Sequence, residues 1–251
     1  MTPCAISLID RLRFRRKGKQ VVIAHRGFST QYRDNSHDAF AHAVSAGTDL
    51  IEADIRSSRD GRLVCHHDPT IDGVDVSALT ARQLAHRGVI PLAEVFDRFA
   101  GKVGILLDLK LSSRRFARTV FDGVRARALE GQVVMGLRSI DQVHALREVS
   151  AITVILGLLQ DYDRFPDFFK AGGDIARVWE TDFTGETRDR VRCGDHPVWV
   201  TAGGRAGVAT PGAASRQNLR RLFDLEVDGV LVNDPALALS ARDAARVDPC
   251  V

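Results

Sequence analysis

The sequence predicts an α/β fold: a single (β/α)8 TIM barrel with a small insertion after a hairpin over residues 52–67. Three observations carry this. From residue 20 onward, short β-branched or apolar runs alternate with helical stretches, the pattern of βαβ units on a parallel sheet. The alternation continues to the end of a 251-residue chain, a length that one barrel uses up. No long Ser/Gly/Pro tract divides it.

Residues 1–19 stand apart as a basic N-terminal segment, leaving 20–251 as the expected barrel domain. Leu8, Ile9 and Leu12 recur near helical spacing among Arg11, Arg13, Arg15, Arg16, Lys17 and Lys19. Such a helix either covers the core or frays, or lies on an anionic membrane surface as a peripheral contact. The apolar run at 4–9 is short and its charges follow it, unlike a secretory signal. Strand-like runs then begin at Val21, Leu50, Leu63, Val103, Val133, Ile152, Ile175, Val198 and Val230. Helical stretches lie between most of them, at 36–46, 92–99, 114–129, 141–149, 214–225 and 235–245.

Nine strands are one too many. The runs on either side of Asp60-Gly61 leave no room for a crossover helix, so they must pair as an antiparallel hairpin. Asp-Gly favours a two-residue type I′ turn. That turn pairs Arg59 with Arg62 and, counted back, puts Asp54 opposite His67; a one-residue slip puts His66 there instead. Residues 69–91 hold no long helix and read as a small excursion through Asp72-Gly73 and Asp75, returning at Pro91.

Apolar residues make up 45% and charged residues 27%, a balance suited to a soluble globular chain. No stretch approaches the ~20 apolar residues of a membrane-spanning helix. The net charge is only +3, and the arginine-rich basic set reads as composition bias, so no nucleic-acid partner is expected. Cys4, Cys65, Cys193 and Cys250 are scattered without metal-binding spacing, which fits a reducing, cytoplasmic location.

Polar groups cluster where barrel strands should end, the usual place for catalytic residues in this fold. His25-Arg26 follows Val-Val-Ile-Ala, His66-His67-Asp68 follows Leu-Val-Cys, and Asp108 and Lys110 close Gly-Ile-Leu-Leu-Asp-Leu-Lys. Glu52 and Asp54, two apart on a strand, share one face. They either face solvent, pair with arginine, or join Asp108 as an oxygen-rich site for a hard ion such as Mg²⁺ or Ca²⁺, with Mn²⁺ a further option. Two imidazoles suit proton transfer at neutral pH, and Arg26 and Lys110 suit phosphate oxygens. Together they form a constellation for phosphoryl transfer.

The ordered set His25-Arg26-Gly27, Asp34-Asn35, Ala39-Phe40, Ala43, Gly47, Asp49, Glu52-x-Asp54, Asp60-Gly61, Val64, His67-Asp68 and Thr70 resembles the glycerophosphodiester phosphodiesterase family. The strong likeness covers about residues 20–110, and 227–235 resembles that family's closing strand. The resemblance implies that Glu52, Asp54 and Asp108 hold a divalent metal, that His25 and His67 are the acid/base pair, and that Arg26 and Lys110 contact phosphate. The implied substrate is a small glycerophosphodiester, cleaved to glycerol phosphate and an alcohol. Alternatives are a lysophospholipase D or sphingomyelinase D type of enzyme on lipids, and a barrel that binds phosphorylated ligands without turnover. The chain departs from the family pattern at Asp34, at Asp108, around Trp199-Val200-Thr201 and at Asn233-Asp234-Pro235. Three features stay open: Gly203-Gly204 and Gly207 as phosphate-approaching or flexible loop, Trp179-Glu180 and Phe183 as pocket wall or core, and Asp34-Asn35 as site support or helix cap.

Overall fold

The computed structural model describes residues 20–247. The basic helix expected within 1–19, and Cys4 and Cys250, lie outside the described residues. Twelve strands follow in chain order: β1 (Val21–Ala24), β2 (Leu50–Ser57), β3 (Leu63–Cys65), β4 (Thr70–Ile71), β5 (Val74–Asp75), β6 (Ile90–Pro91), β7 (Gly104–Leu109), β8 (Val133–Leu137), β9 (Val154–Gly157), β10 (Ile175–Trp179), β11 (Val198–Thr201) and β12 (Gly229–Val232). Strands β1, β2, β7, β8, β9, β10, β11 and β12 are parallel. They close into an eight-stranded barrel, because β1 pairs with β12 on one side and β2 on the other. All nine sequence-expected strands are present, as are the helices between them. These include His37–Ala46, Leu92–Phe99, Arg114–Arg125, Ile140–Arg147, Arg216–Asp224 and Pro235–Val247.

The helices start where serines and threonines stop the preceding loop. The side chains of Ser36, Ser113, Ser139, Thr184 and Ser215 each accept a backbone N–H three residues on. This satisfies a donor that the first helical turn leaves orphaned. Ser36 therefore fills the capping role and leaves Asn35 for another use. Among the described residues no helix is long and apolar enough to cross a membrane.

Strand alternation sorts the side chains. Ile23, Leu50, Leu106, Val134, Leu156, Ile175, Trp199 and Leu231 fill the barrel's interior, while Ile51, Ala53, Ile55, Leu107 and their like pack outward under the helices. Trp199 fills the interior only because Gly229 faces it: a Cβ at Gly229 would lie 2.8 Å from Trp199 Cδ1. Truncating such a fully buried ring costs about 3–5 kcal/mol. Above this apolar layer, toward the strands' C-terminal ends, the inward positions turn polar.

The hairpin β2–β3 forms, but not in the expected register. Ile55 pairs with Cys65, Arg56 with Val64 and Ser57 with Leu63, one residue away from the Arg59–Arg62 pairing. The Ser58 carbonyl accepts the Gly61 N–H, and Gly61 takes φ +76°, so Arg59-Asp60-Gly61 is a three-residue loop with glycine in the left-handed position. Ser58 Oγ, bonded to Asp60 Oδ1 at 2.7 Å and accepting Arg62 N at 2.9 Å, locks that longer loop. The slip brings His66, not His67, opposite Asp54: His66 N donates to the Asp54 carbonyl at 2.9 Å. Beyond β3 the excursion holds the β4–β5 pair and the short helix Ala81–Ala85, then returns as β6 against β3.

Candidate active site

The seven residues singled out from sequence come together at the C-terminal mouth of the barrel. His25, Arg26, Glu52, His67, Asp108 and Lys110 line one cavity of about 190 Å³, and Asp54 lies beneath it, fully buried. The register of β2 on β7 is responsible for the carboxylates: Glu52 pairs with Leu106 and Asp54 with Asp108, so all three acids project into the same space. Glu52, Asp54 and Asp108 each offer an oxygen within 4.8 Å of the others.

Cations interleave with these acids. Lys110 Nζ lies 2.6 Å from both Asp54 Oδ1 and Asp108 Oδ2; the Asp108 contact is an aligned hydrogen bond and the Asp54 contact is ionic only. Arg26 Nε lies 3.1 Å from Asp54 Oδ2, and its Nη1 reaches Asp34 at 3.2 Å. Although burial opposes it, Lys110 and Arg26 hold the Asp54 carboxyl far below the usual carboxylate range. Glu52 goes the other way: burial, then the charges of Asp54 and Asp108, push its pKa well up. Among the described residues its one donor is the Arg26 backbone N–H, 2.8 Å from Oε2. A buried carboxyl whose charge is opposed by two neighbouring acids, beside two more acidic oxygens, fits the demand of a hard divalent cation.

Backbone geometry holds this arrangement. Arg26 and Asn35 both sit at positive φ, +59° and +53°, and the Asn35 N–H donates to the Arg26 carbonyl at 3.0 Å. Left-handed geometry costs a non-glycine residue about 1–2 kcal/mol, and asparagine tolerates it best. The turn aims the Arg26 N–H at Glu52 and the Asn35 side chain at Asp54. Asn35 Nδ2 donates to Asp54 Oδ2 at 2.8 Å, and Asn35 Oδ1 accepts the Asp54 N–H at 3.1 Å. Gly27 completes the turn at φ +84°, where a Cβ would lie 2.6 Å from the Ala39 backbone.

The two imidazoles are oriented differently. His25 is only 9% exposed, and burial, then Arg26, pull its pKa down to about 4. Its Nδ1 lies 2.8 Å from Asn233 Oδ1. Asn233 Nδ2 donates to the Pro211 carbonyl at 2.9 Å, which can only accept, so Oδ1 must face His25. Nδ1 therefore carries the proton and Nε2 is the basic atom. Gly212 permits this contact: a side chain there would run into Asn233 Oδ1 and come within 2.6 Å of His25 Nδ1. His67 Nδ1 lies 2.8 Å from Asp68 Oδ1, which likewise leaves Nε2 free. Burial lowers the His67 pKa as well. His67 faces the cavity despite the slipped hairpin because strand pairing stops at Cys65 and Arg56 takes over. Arg56 Nε and Nη2 donate to the His67 carbonyl at 3.0 and 2.6 Å.

Trp179 apart, the cavity's far wall was not legible as a site from sequence. It includes Arg138, Leu158, Gln160, Arg177, Trp179, Thr201 and Pro211. Arg138 Nη2 grips both oxygens of Asp108 at 2.6 and 2.7 Å. It follows β8 directly, so the strand-end rule applied to Arg26 reaches it too. Of the features left open, Trp179 lines the cavity, Phe183 is core, and Glu180 accepts the Gly203 N–H at 2.7 Å. Gly203, at φ +71°, serves close packing against the Thr210 backbone, where a Cβ would clash.

The family model described as "Glycerophosphoryl diester phosphodiesterase family" matches residues 25–148. A glycerophosphodiester phosphodiesterase of Caldanaerobacter subterraneus subsp. tengcongensis is 46% identical over 54 residues, 22% of this chain and 22% of that protein. The first three curated relatives are matched over only 13%, 22% and 21% of their own lengths. Among solved structures, a glycerophosphodiester phosphodiesterase from Parabacteroides distasonis superposes with TM-score 0.79 at 16% identity, covering 92% of this chain and 100% of that one. An Oleispira antarctica phosphodiesterase in complex with the product sn-glycerol-3-phosphate superposes with TM-score 0.73 at 17% identity, covering 89% and 96%. At these identities the superpositions establish the shared barrel.

Proposed function

Residues 25–148 of this chain belong to the glycerophosphoryl diester phosphodiesterase family, and from that premise we propose that the protein is a divalent-metal-dependent phosphodiester hydrolase. Its substrate would be a small glycerophosphodiester, cleaved to glycerol phosphate and an alcohol. The observation that carries this reading is the convergence, at one barrel mouth, of two imidazoles with free Nε2 atoms and three carboxylates with oxygens within 4.8 Å of each other. A cavity of about 190 Å³ is smaller than sites for drug-sized ligands and suits a glycerol phosphate group better than an acyl chain.

Glu52, Asp54 and Asp108 would hold the metal, with Mg²⁺, Ca²⁺ or Mn²⁺ as candidates. When bound, it would supply positive charge to the phosphate oxygens. Arg26 and Lys110 would add donors to the same oxygens and hold the phosphorus in line between the imidazoles. His25, kept neutral with Nε2 bare, would take the proton from the attacking water or substrate hydroxyl. His67 would give a proton to the leaving alcohol oxygen: burial lowers its pKa overall, but Asp68 at its Nδ1 opposes that shift, a carboxylate partner where His25 has the Asn233 amide. The roles reverse when a cyclic intermediate formed by a substrate hydroxyl is opened by water.

The test is release of glycerol phosphate from glycerophosphocholine with each ion, in wild type, His25→Ala, His67→Ala and Glu52→Gln. Loss of a proton-transfer group lowers kcat about 10²–10⁴-fold. Equal rates in wild type and either histidine variant would remove that residue from the mechanism.

A further inference from the structure

The far wall of the cavity holds donors without acceptors. Arg177, on β10, is only 3% exposed and lines the cavity. Its Nε and Nη1 are buried and have no hydrogen-bond partner among the described residues. Trp179, two residues on and on the same face, has its indole Nε1 buried and equally unpartnered. The Arg177 guanidinium carbon stands 4.1 Å from the Trp179 ring centroid, a cation–π contact that partly offsets burial but accepts no N–H. The other cavity cations are matched: Arg26 by Asp34 and Asp54, Lys110 by Asp54 and Asp108, Arg138 by Asp108. A buried charge without a counter-charge is disfavoured unless a ligand supplies one.

Strand order places this wall. Around the ring β1, β2, β7, β8, β9, β10, β11, β12, strand β10 stands four positions from β2, on the opposite side from Glu52 and Asp54. Leu106, Leu158, Leu231 and Thr201 line the cavity along with these two poles. The unpartnered N–H groups of Arg177 and Trp179 call for an acceptor, and a guanidinium fork matches the paired oxygens of a phosphate or carboxylate.

Building on the hydrolase reading, we propose that Arg177 and Trp179 form a second anion subsite, and that the preferred substrate is a doubly charged phosphodiester. One charge would sit at the scissile phosphate and the other, a phosphate or carboxylate elsewhere on the molecule, would lie against Arg177.

The test compares glycerophosphoglycerol with the same diester carrying a terminal phosphomonoester. Wild type should favour the phosphorylated compound at least tenfold in kcat/KM. Arg177→Met should abolish that preference through KM, with a loss below threefold on the singly charged diester. Trp179→Phe, which keeps the ring and drops the N–H, should reduce the preference part-way, and it serves if Arg177→Met does not fold. No preference in wild type, or equal losses on both compounds, overturns the subsite. Inorganic phosphate that stimulates cleavage of the singly charged diester in wild type but not in Arg177→Met would place a free anion there and overturn the substrate assignment. If neither diester turns over, the hydrolase reading fails separately. The subsite is then judged by calorimetric titration with glycerol phosphate and glycerol 1,3-bisphosphate: tighter bisphosphate binding that Arg177→Met removes sustains it, and equal affinities overturn it.

Discussion

Replacing Asn233 with alanine separates a structural tie from a tautomer clamp. The side chain makes two hydrogen bonds in a partly buried place, at 2.8 Å to His25 Nδ1 and at 2.9 Å to the Pro211 carbonyl. At about 1 kcal/mol each, their removal should destabilise the protein by about 2 kcal/mol. For a chain of this size that lowers Tm by about 4–8 °C. The catalytic effect should be larger than the structural one. Without the acceptor at Oδ1, the His25 proton is free to move to Nε2, which would disable the proposed base, and the ring is free to turn. A kcat loss of about 10–100-fold with little change in KM is expected, a portion of the full general-base contribution. Asn233→Asp keeps an acceptor facing Nδ1 and adds a charge that favours imidazolium. It should recover most of the rate and move the acid limb of the kcat profile upward. The assay is steady-state hydrolysis across pH, beside thermal melting. If Asn233→Ala melts earlier yet keeps kcat within twofold, or if Asn233→Asp is as slow as Asn233→Ala, His25 needs no clamp and the reasoning is wrong.

Gly212→Ala should act at the same place by collision, since φ is +78° and a Cβ would come within 2.6 Å of His25 Nδ1; about 1–3 kcal/mol of stability and at least a tenfold loss of kcat are expected, and wild-type kinetics would refute this. Asn35→Ala removes two buried hydrogen bonds to Asp54, one of them to a charge, so a loss of about 3 kcal/mol is expected, with Mn²⁺ affinity falling about 10–100-fold in calorimetric titration; unchanged affinity would separate Asn35 from metal binding. His25, with its pKa lowered from 6.5 to about 4, refuses a proton that the unfolded chain accepts. Stability should therefore be unaffected by this group above pH 6.5 and fall as pH drops toward 4. In urea unfolding, about 2–3 kcal/mol more should be lost between pH 7.5 and 4.5 by wild type than by His25→Gln; parallel curves would contradict the shift.

What could be read from sequence was what repeats locally. Alternation with a period of two marks inward and outward sides, so Glu52 and Asp54 could be placed together before the barrel existed. Asp54 against Asp108 needed the β2–β7 register, which depends on how the whole ring closes. The hairpin shows the opposite failure. Asp-Gly signals a two-residue turn, but Ser58 favours a longer loop by bonding across it, and one residue of register moves His66 opposite Asp54. His67 still reaches the cavity through Arg56, a contact that no spacing announces. Arg177 was missed because Ile-Ala-Arg-Val-Trp reads as one apolar strand with a stray charge. Only the closed barrel turns that charge inward. Asn233 stood in a motif already noted as a departure, yet its task depends on Pro211, twenty-two residues earlier in the chain.

The order of the staves also divides labour along the chain. The proposed ion donors and both imidazoles are delivered before residue 110, by β1, β2, β7 and the end of the β2–β3 hairpin. Arg138, Gln160, Arg177, Trp179 and Thr201 come from the later half of the ring. A chimera that keeps the first half and borrows the second from a cousin should retain bond cleavage where the borrowed half keeps Gly212 and Asn233, which hold His25, while changing which molecules are accepted. The seam at β7–β8 is where such a graft should be cut.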